Sequence, residues 1–166
     1  MTTPIFIIFL QDKFTSNIGT LVWAIIQGAI VAAFFRSYFG QLSDRFGRTR
    51  LMALGMVGSG IFSFLLPALP GIVWLTIFWT LESVGWAMAD PAEGAMVADL
   101  TGHQVRGTGY GFYTFVSSMG ASVGPLAGGW LYDSVGRAVP FYFNGVVLLI
   151  GALLVLLLLV RKRLSS

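Results

Sequence analysis

The stretch "GIVWLTIFWTLESVGWAMADPAEGAMVA", from Gly71 to Ala98, is apolar except for three carboxylates, Glu82, Asp90 and Glu93. In such surroundings a carboxylate has two chemistries open to it, taking up a proton or attracting a cation. An ionised side chain at the centre of a helix in lipid costs roughly 2.5 to 3.5 kcal/mol on insertion scales, so it faces protein or a water-filled cavity. Glu82 lies nearest the middle. At about 100° per residue, eleven positions bring Glu93 back to within about 20° of Glu82, and Asp90 falls about 80° away on the same side. All three can therefore face one cavity. Trp79 and Trp86, at i−3 and i+4, flank Glu82 on that face. An acid between two indoles suits a lipophilic cation through charge and cation–π attraction. Glu82 then either binds a proton and couples its entry to substrate movement, or hydrogen-bonds a neighbouring helix as a structural contact. Asp90 and Glu93 straddle Pro91 and also read as wet helix-end residues. Gln27, mid-way along an earlier stretch, can contact substrate or bond across helices, and Asn144 can cap or pair.

The elements that must hold these groups are membrane spans. With 56% hydrophobic and 10% charged residues among 166, and a mean hydropathy of +0.82, the composition is that of a membrane protein. A span needs about 20 apolar residues. Five stretches reach that length, at about 17–39, 51–69, 71–98, 108–131 and 138–160. A sixth, Pro4 to Leu10, reaches only about halfway across the bilayer and reads as the end of a span. Turn chemistry separates the spans at "PALPG" (67–71) and "DSVGR" (133–137). The expected fold is all-α, a polytopic helix bundle of five full transmembrane helices and a partial N-terminal one, forming a single domain over 1–166.

The composition also excludes classes of function. The net charge of +3 includes no basic run beyond Arg161-Lys162-Arg163, so no nucleic-acid partner is expected. Without cysteine there is no disulfide, thiolate metal site or cysteine nucleophile, and no cofactor or metal is expected. No histidine cluster or Gly-x-Ser-x-Gly elbow points to an enzyme. The start "MTTPIFIIFLQDKF" does not read as a secretory signal. If the segment at 40–50 is cytoplasmic, that side collects Arg36, Arg45, Arg48, Arg50, Arg106, Arg161, Lys162 and Arg163, against Lys13 and Arg137 outside. This bias orients the 40–50 loop and the C-terminus to the cytoplasm, in the cell membrane.

That segment, "GQLSDRFGRTR", follows a span directly. Gly40 can end a helix or admit a neighbour's backbone, Gly47 permits a tight turn, and Asp44 can accept from the positive end of an adjacent helix. Arg45 and Arg48 meet anionic headgroups and carboxylates. Gly40, Asp44, Arg45, Gly47 and Arg48 together resemble the signature loop of the major facilitator superfamily of secondary transporters. A second motif is similar to that family's antiporter motif: Gly111, Gly120, Gly124, Pro125, Gly128 and Gly129 in "GFYTFVSSMGASVGPLAGG". Glycines at four-residue spacing line one helix face and allow close packing, and Pro125 frees a carbonyl and bends the helix.

The frame Gly40-x-Leu42-x-Asp44-x-x-Gly47-Arg48 recurs as Gly129-x-Leu131-x-Asp133-x-x-Gly136-Arg137, with three spans between the copies. They fall on opposite faces of the membrane, the pattern of a 3+3 inverted repeat with units at about 1–69 and 71–160. The resemblance implies half of a twelve-span transporter. The span from Leu75 to Met88 lacks the arginine usual in the fourth span of an N-terminal half, so the C-terminal half is expected, with its first helix truncated.

What the resemblance implies is alternating access for a small molecule, with proton-coupled export of an amphipathic compound or drug as the expected activity. A metabolite symporter or uniporter is the alternative, and so is a fragment that transports nothing without a partner. Cavity and gate in this family lie between two halves, so an N-terminal half or a second copy is the expected partner, beside protons, substrate and the lipid bilayer.

Overall fold

A computed structural model describes residues 3–14, 16–100 and 106–164. They form six helices: α1 (Thr3–Lys13), α2 (Ile18–Phe46), α3 (Arg48–Leu65), α4 (Ile72–Leu100), α5 (Arg106–Ser134) and α6 (Val139–Leu164). A short 3₁₀ turn, Leu66–Ala68, follows α3. No strand occurs among the described residues, and the all-α expectation holds. Helices α2, α3 with its 3₁₀ turn, α4 and α6 are long and apolar enough to cross a membrane. Helix α5 has the length, 29 residues or about 43 Å, but its glycines and serines make it less apolar than the other four. At 11 residues, α1 covers about 16 Å, half of a hydrocarbon core.

The ends follow from local chemistry. Asn17 caps α2, its side-chain oxygen accepting from the N–H groups of Gly19 at 2.9 Å and Thr20 at 3.3 Å. Helix α2 does not stop at Gly40, as one reading of the sequence has it, but runs six residues further. Its break comes at Gly47, whose φ of +94° suits a residue without a Cβ and whose N–H bonds to Ser43 O at 3.1 Å. The 40–50 segment is thus two helix ends meeting at one residue. Pro67 and Pro70 confine the α3–α4 connection to the 3₁₀ turn and a bend.

Helix α3 packs against α4 and α6, and α2 packs against α4. Lipid tails are as apolar as the helices, so close van der Waals approach rather than burial from water must hold the crossings together. At the α3–α4 crossing a Cβ on Gly55 would stand 2.6 Å from Gly85 O, and a Cβ on Gly85 would collide with Ser59. At the α3–α6 crossing a Cβ on Gly145 would stand 2.9 Å from Gly60 O. Helix α1 contributes Ile5, Phe6, Phe9 and Leu10 to a core with Leu75, Trp79, Tyr132 and Phe141. Helix α6, apolar throughout from Gly145 to Val160, buries Leu148, Ala152 and Val155 and exposes Ile150, Leu153 and Leu157.

Candidate functional site

A cavity of about 380 Å³ lies where α1, α2 and α4 meet. Helix α4 lines it with Trp79, Glu82, Ser83, Trp86 and Ala87, helix α2 with Ile25, Ala29, Ala32 and Arg36, and α1 with Thr3. Both long helices present residues three and four apart, one continuous face each. Trp79 is buried and stacks on Phe6, ring centroids 4.0 Å apart and planes 6° from parallel. Trp86 is 39% exposed and keeps an open indole face. The expected trio of Glu82, Trp79 and Trp86 is therefore together in one wall.

Glu82 is 2% exposed. Asn144 of α6 donates from Nδ2 to Glu82 Oε1 at 3.3 Å, and Glu82 Oε2 has no hydrogen-bond partner among the described residues. The same Asn144 nitrogen donates to Ser63 Oγ at 3.0 Å, and Ser63 donates to the carbonyl of Phe141 at 3.0 Å. Ser59 donates to the backbone carbonyl of Glu82 at 2.9 Å. A buried carboxyl with one satisfied and one bare oxygen must carry a proton on the bare oxygen or take a donor from the cavity. That is the chemistry of a group that can exchange a proton for a cationic or hydrogen-bonding ligand.

The other acids do not share this wall. Asp90 pairs with Arg36 at 3.1 Å, both side chains more than half exposed, and of the two only Arg36 lines the cavity. Glu93 lies beyond Pro91 and accepts from the Tyr113 hydroxyl of α5 at 2.9 Å. Arg36 is thus an ion-pair partner of α4. Gln27 lines a second cavity of about 320 Å³, with Thr20, Trp23 and Ala24 of α2 and Ile72, Val73, Thr76 and Ile77 of α4. The structure does not bring it to Glu82, because two residues from Ala29 is about 200° around the helix.

At the α2–α3 break, Asp44 pairs with Arg48 one turn on, at 3.3 Å, and Arg48 also donates to Ala95 O of α4 at 3.2 Å. Arg45 is exposed, and a Cβ at Gly40 would meet open space. The recurrence of this frame at Gly129 to Arg137 has a similar arrangement. Gly136 again has positive φ and its N–H bonds to Leu131 O, and Arg137 reaches Asp12 of α1 at 3.5 Å. Arg48 thus holds the C-terminal part of α4, and Arg137 that of α1. Asp12 also accepts from the Tyr132 hydroxyl at 2.9 Å, and Lys13 donates to the carbonyls of Pro67 and Leu69 at 3.0 Å each.

The glycine motif of α5 is only partly used. Gly124 and Gly128 are buried, and a Cβ on Gly128 would collide with Ile5 of α1. Gly111, Gly120 and Gly129 meet open space, and Pro125 lies within an unbroken helix. Not foreseen from the sequence were Ser59 as a partner of the Glu82 backbone, Ser63 as a partner of Asn144, and Asp12 with Tyr132. Signals existed: Ser59 and Ser63 are one turn apart, and Asn144 is the one amide in α6. His103 lies outside the described residues.

A family model described as Major Facilitator Superfamily matches residues 1–166. The chain is 39% identical over 115 residues to puromycin resistance protein pur8 of Streptomyces alboniger, covering 69% of this chain and 23% of that protein. It is 32% identical over 140 residues to a Na(+), Li(+), K(+)/H(+) antiporter of Planococcus maritimus, covering 81% and 32%. Over 136 residues it is 35% identical to multidrug resistance protein 2 of Bacillus subtilis (strain 168), covering 76% and 33%. The chain thus spans about a quarter to a third of the length of these relatives. No solved structure gives a significant match.

Proposed function

From the chain's membership of the major facilitator superfamily, to which it belongs over its whole length, we propose that it forms half of an alternating-access transporter that exports a small amphipathic compound against protons. The observation that carries this reading is Glu82: buried, one oxygen bare, in a cavity wall beside an accessible indole. A carboxyl that takes up a proton loses its attraction for a cation, so proton and cationic substrate compete for the same group. Trp86 supplies the face for an amphipathic cation, worth about 0.5 to 2 kcal/mol when desolvated. The relatives named for puromycin, multidrug and cation/proton antiport agree with this class of substrate and coupling.

In this reading the chain is the C-terminal half, built of inverted units at about 1–69 and 71–160, whose helices α2 and α5 each end at a positive-φ glycine. The 40–50 segment and the C-terminus lie in the cytoplasm, and the protein sits in the cell membrane. The open apolar sides of α2, with Trp23, Phe34 and Tyr38, and of α5, with Phe112, Phe115 and Trp130, leave room for an N-terminal half or a second copy to close the cavity. A transport-incompetent fragment is the outcome if neither partner exists.

The test is pH-driven efflux of a fluorescent lipophilic cation from vesicles holding the chain, alone and with a co-reconstituted N-terminal half. Glu82→Gln, still folded, is expected to abolish the pH-driven component and to weaken binding of the dye to what the Trp86 face supplies. Undiminished pH-driven efflux in that variant would overturn the proposal.

A further inference from the structure

We infer that Asn144 is the positioning residue through which α6 reads the charge on Glu82. This rests on the reading of Glu82 as the group that takes up the proton. The geometry is a directed chain: Asn144 Nδ2 donates to Glu82 Oε1 and to Ser63 Oγ, and Ser63 donates to the carbonyl of Phe141 on α6 itself. All its members are buried, so no water competes for these bonds.

A hydrogen bond to an ionised carboxylate is roughly twice as strong as one to a neutral acid. With Glu82 ionised, the amide is drawn strongly towards α4; with Glu82 neutral, that bond persists but weakens, and the amide's other bond, to Ser63 on α3, gains in relative strength. Asn144 sits one residue from Gly145, where the α6 backbone closely approaches that of Gly60 on α3 and the Phe64 ring of α3 lies against Gly145. The change in the balance of the amide's two bonds is therefore delivered at a close contact of α3 and α6. A ligand or proton moves such an equilibrium only by its differential interaction with the two states, and the Asn144–Glu82 bond supplies that difference.

Other charges near Glu82 do not substitute for this link. From α2 the cavity receives Arg36, which is paired with Asp90 of α4, and Glu93 of α4 is taken by Tyr113 of α5. Among the described residues, α1 presents Thr3, α3 presents Ser59 and Ser63, and α6 presents Asn144, none of which titrates near neutrality.

Two readouts on the reconstituted chain test this. The infrared carboxyl band gained at low pH and lost in Glu82→Gln belongs to Glu82. In Asn144→Leu it is expected at higher wavenumber, because the carbonyl oxygen loses its donor. The chain has no cysteine, so spin labels placed at exposed Leu54 on α3 and Leu153 on α6 report their separation without background. That separation is expected to change with pH in the otherwise native chain, and to be independent of pH in Asn144→Leu. Ser63→Ala is expected to keep the native band but lose the pH-dependent separation, and it serves if Asn144→Leu does not fold. An unmoved band in Asn144→Leu, or a separation that still changes with pH in either variant, would overturn the inference. A separation that still changes with pH in Glu82→Gln would instead remove Glu82 as the proton acceptor.

Discussion

Arg36 of α2 and Asp90 of α4 stand 3.1 Å apart, and Arg36 lines the cavity whose wall holds Glu82. The pair is more than half exposed, so it adds at most about 1 kcal/mol to stability. Its position matters more for the proposed function, because a cation taken into this cavity comes under the charges of Arg36 and Asp90 as well as that of Glu82. Asp90→Asn is expected to leave thermal unfolding nearly unchanged while slowing efflux of cationic substrates more than of neutral ones. A parallel set of transport assays and unfolding curves measures both.

The two tryptophans separate binding from folding. Trp79 is packed in the core against Phe6, so Trp79→Ala is expected to cost about 3 to 5 kcal/mol. Trp86 is open to the cavity, so Trp86→Ala is expected to weaken binding of a lipophilic cation by about 0.5 to 2 kcal/mol, roughly 2-fold to 30-fold, with a much smaller loss of stability. Dye titration beside thermal unfolding checks the pair; equal stability losses would contradict the placement.

Glycines in this chain fall into those that must be small and those that need not be. Gly85→Leu would drive a side chain into Ser59 and the backbone of Gly55, an overpacking expected to cost about 1 to 3 kcal/mol or to abolish the folded bundle. Gly40→Ala meets open space inside a helix and is expected to stabilise by about 0.5 to 1 kcal/mol. At Gly47, with φ of +94°, Gly47→Ala is expected to cost about 1 to 2 kcal/mol. Three unfolding midpoints decide it, and the sign at Gly40 is the most discriminating.

At the other end of the bundle from Arg48, Tyr132 is buried and its hydroxyl donates to Asp12. Tyr132→Phe is expected to cost about 1.5 to 3 kcal/mol, the range for a hydrogen bond to a charged group. Combined with Asp12→Asn, the two losses should fall short of additivity by about 0.5 kcal/mol or more. A double-mutant cycle on unfolding free energies gives the coupling, and strict additivity would mean that the bond is absent in the membrane.

The spans were legible in the sequence because hydropathy is a property of single segments, and Glu82 with its tryptophans because they share one helix face. The break at Gly47 was legible too, since glycine before a basic turn has a local meaning. What could not be read was which side of α2 faces α4, and so Gln27 was grouped with Glu82 although it lines another cavity. Gly40 and Gly120 looked like packing residues because spacing alone does not say whether a neighbour is there; Gly55, Gly85, Gly60 and Gly145, which do meet one, carry no more distinctive pattern. The donor to Glu82 comes from 62 residues away, and only the packing of α6 on α3 brings it near.

That separation has a consequence for how the protein is made. Synthesis delivers the partners in order: the carbonyls that Lys13 holds, then Ala95 for Arg48, then Tyr132 for Asp12, and last Asn144 for Glu82. Glu82 must therefore enter the bilayer on an otherwise apolar helix well before its amide partner leaves the ribosome. The nascent bundle holds its acid unpartnered until α6 arrives, and a chain halted before that helix would keep it so.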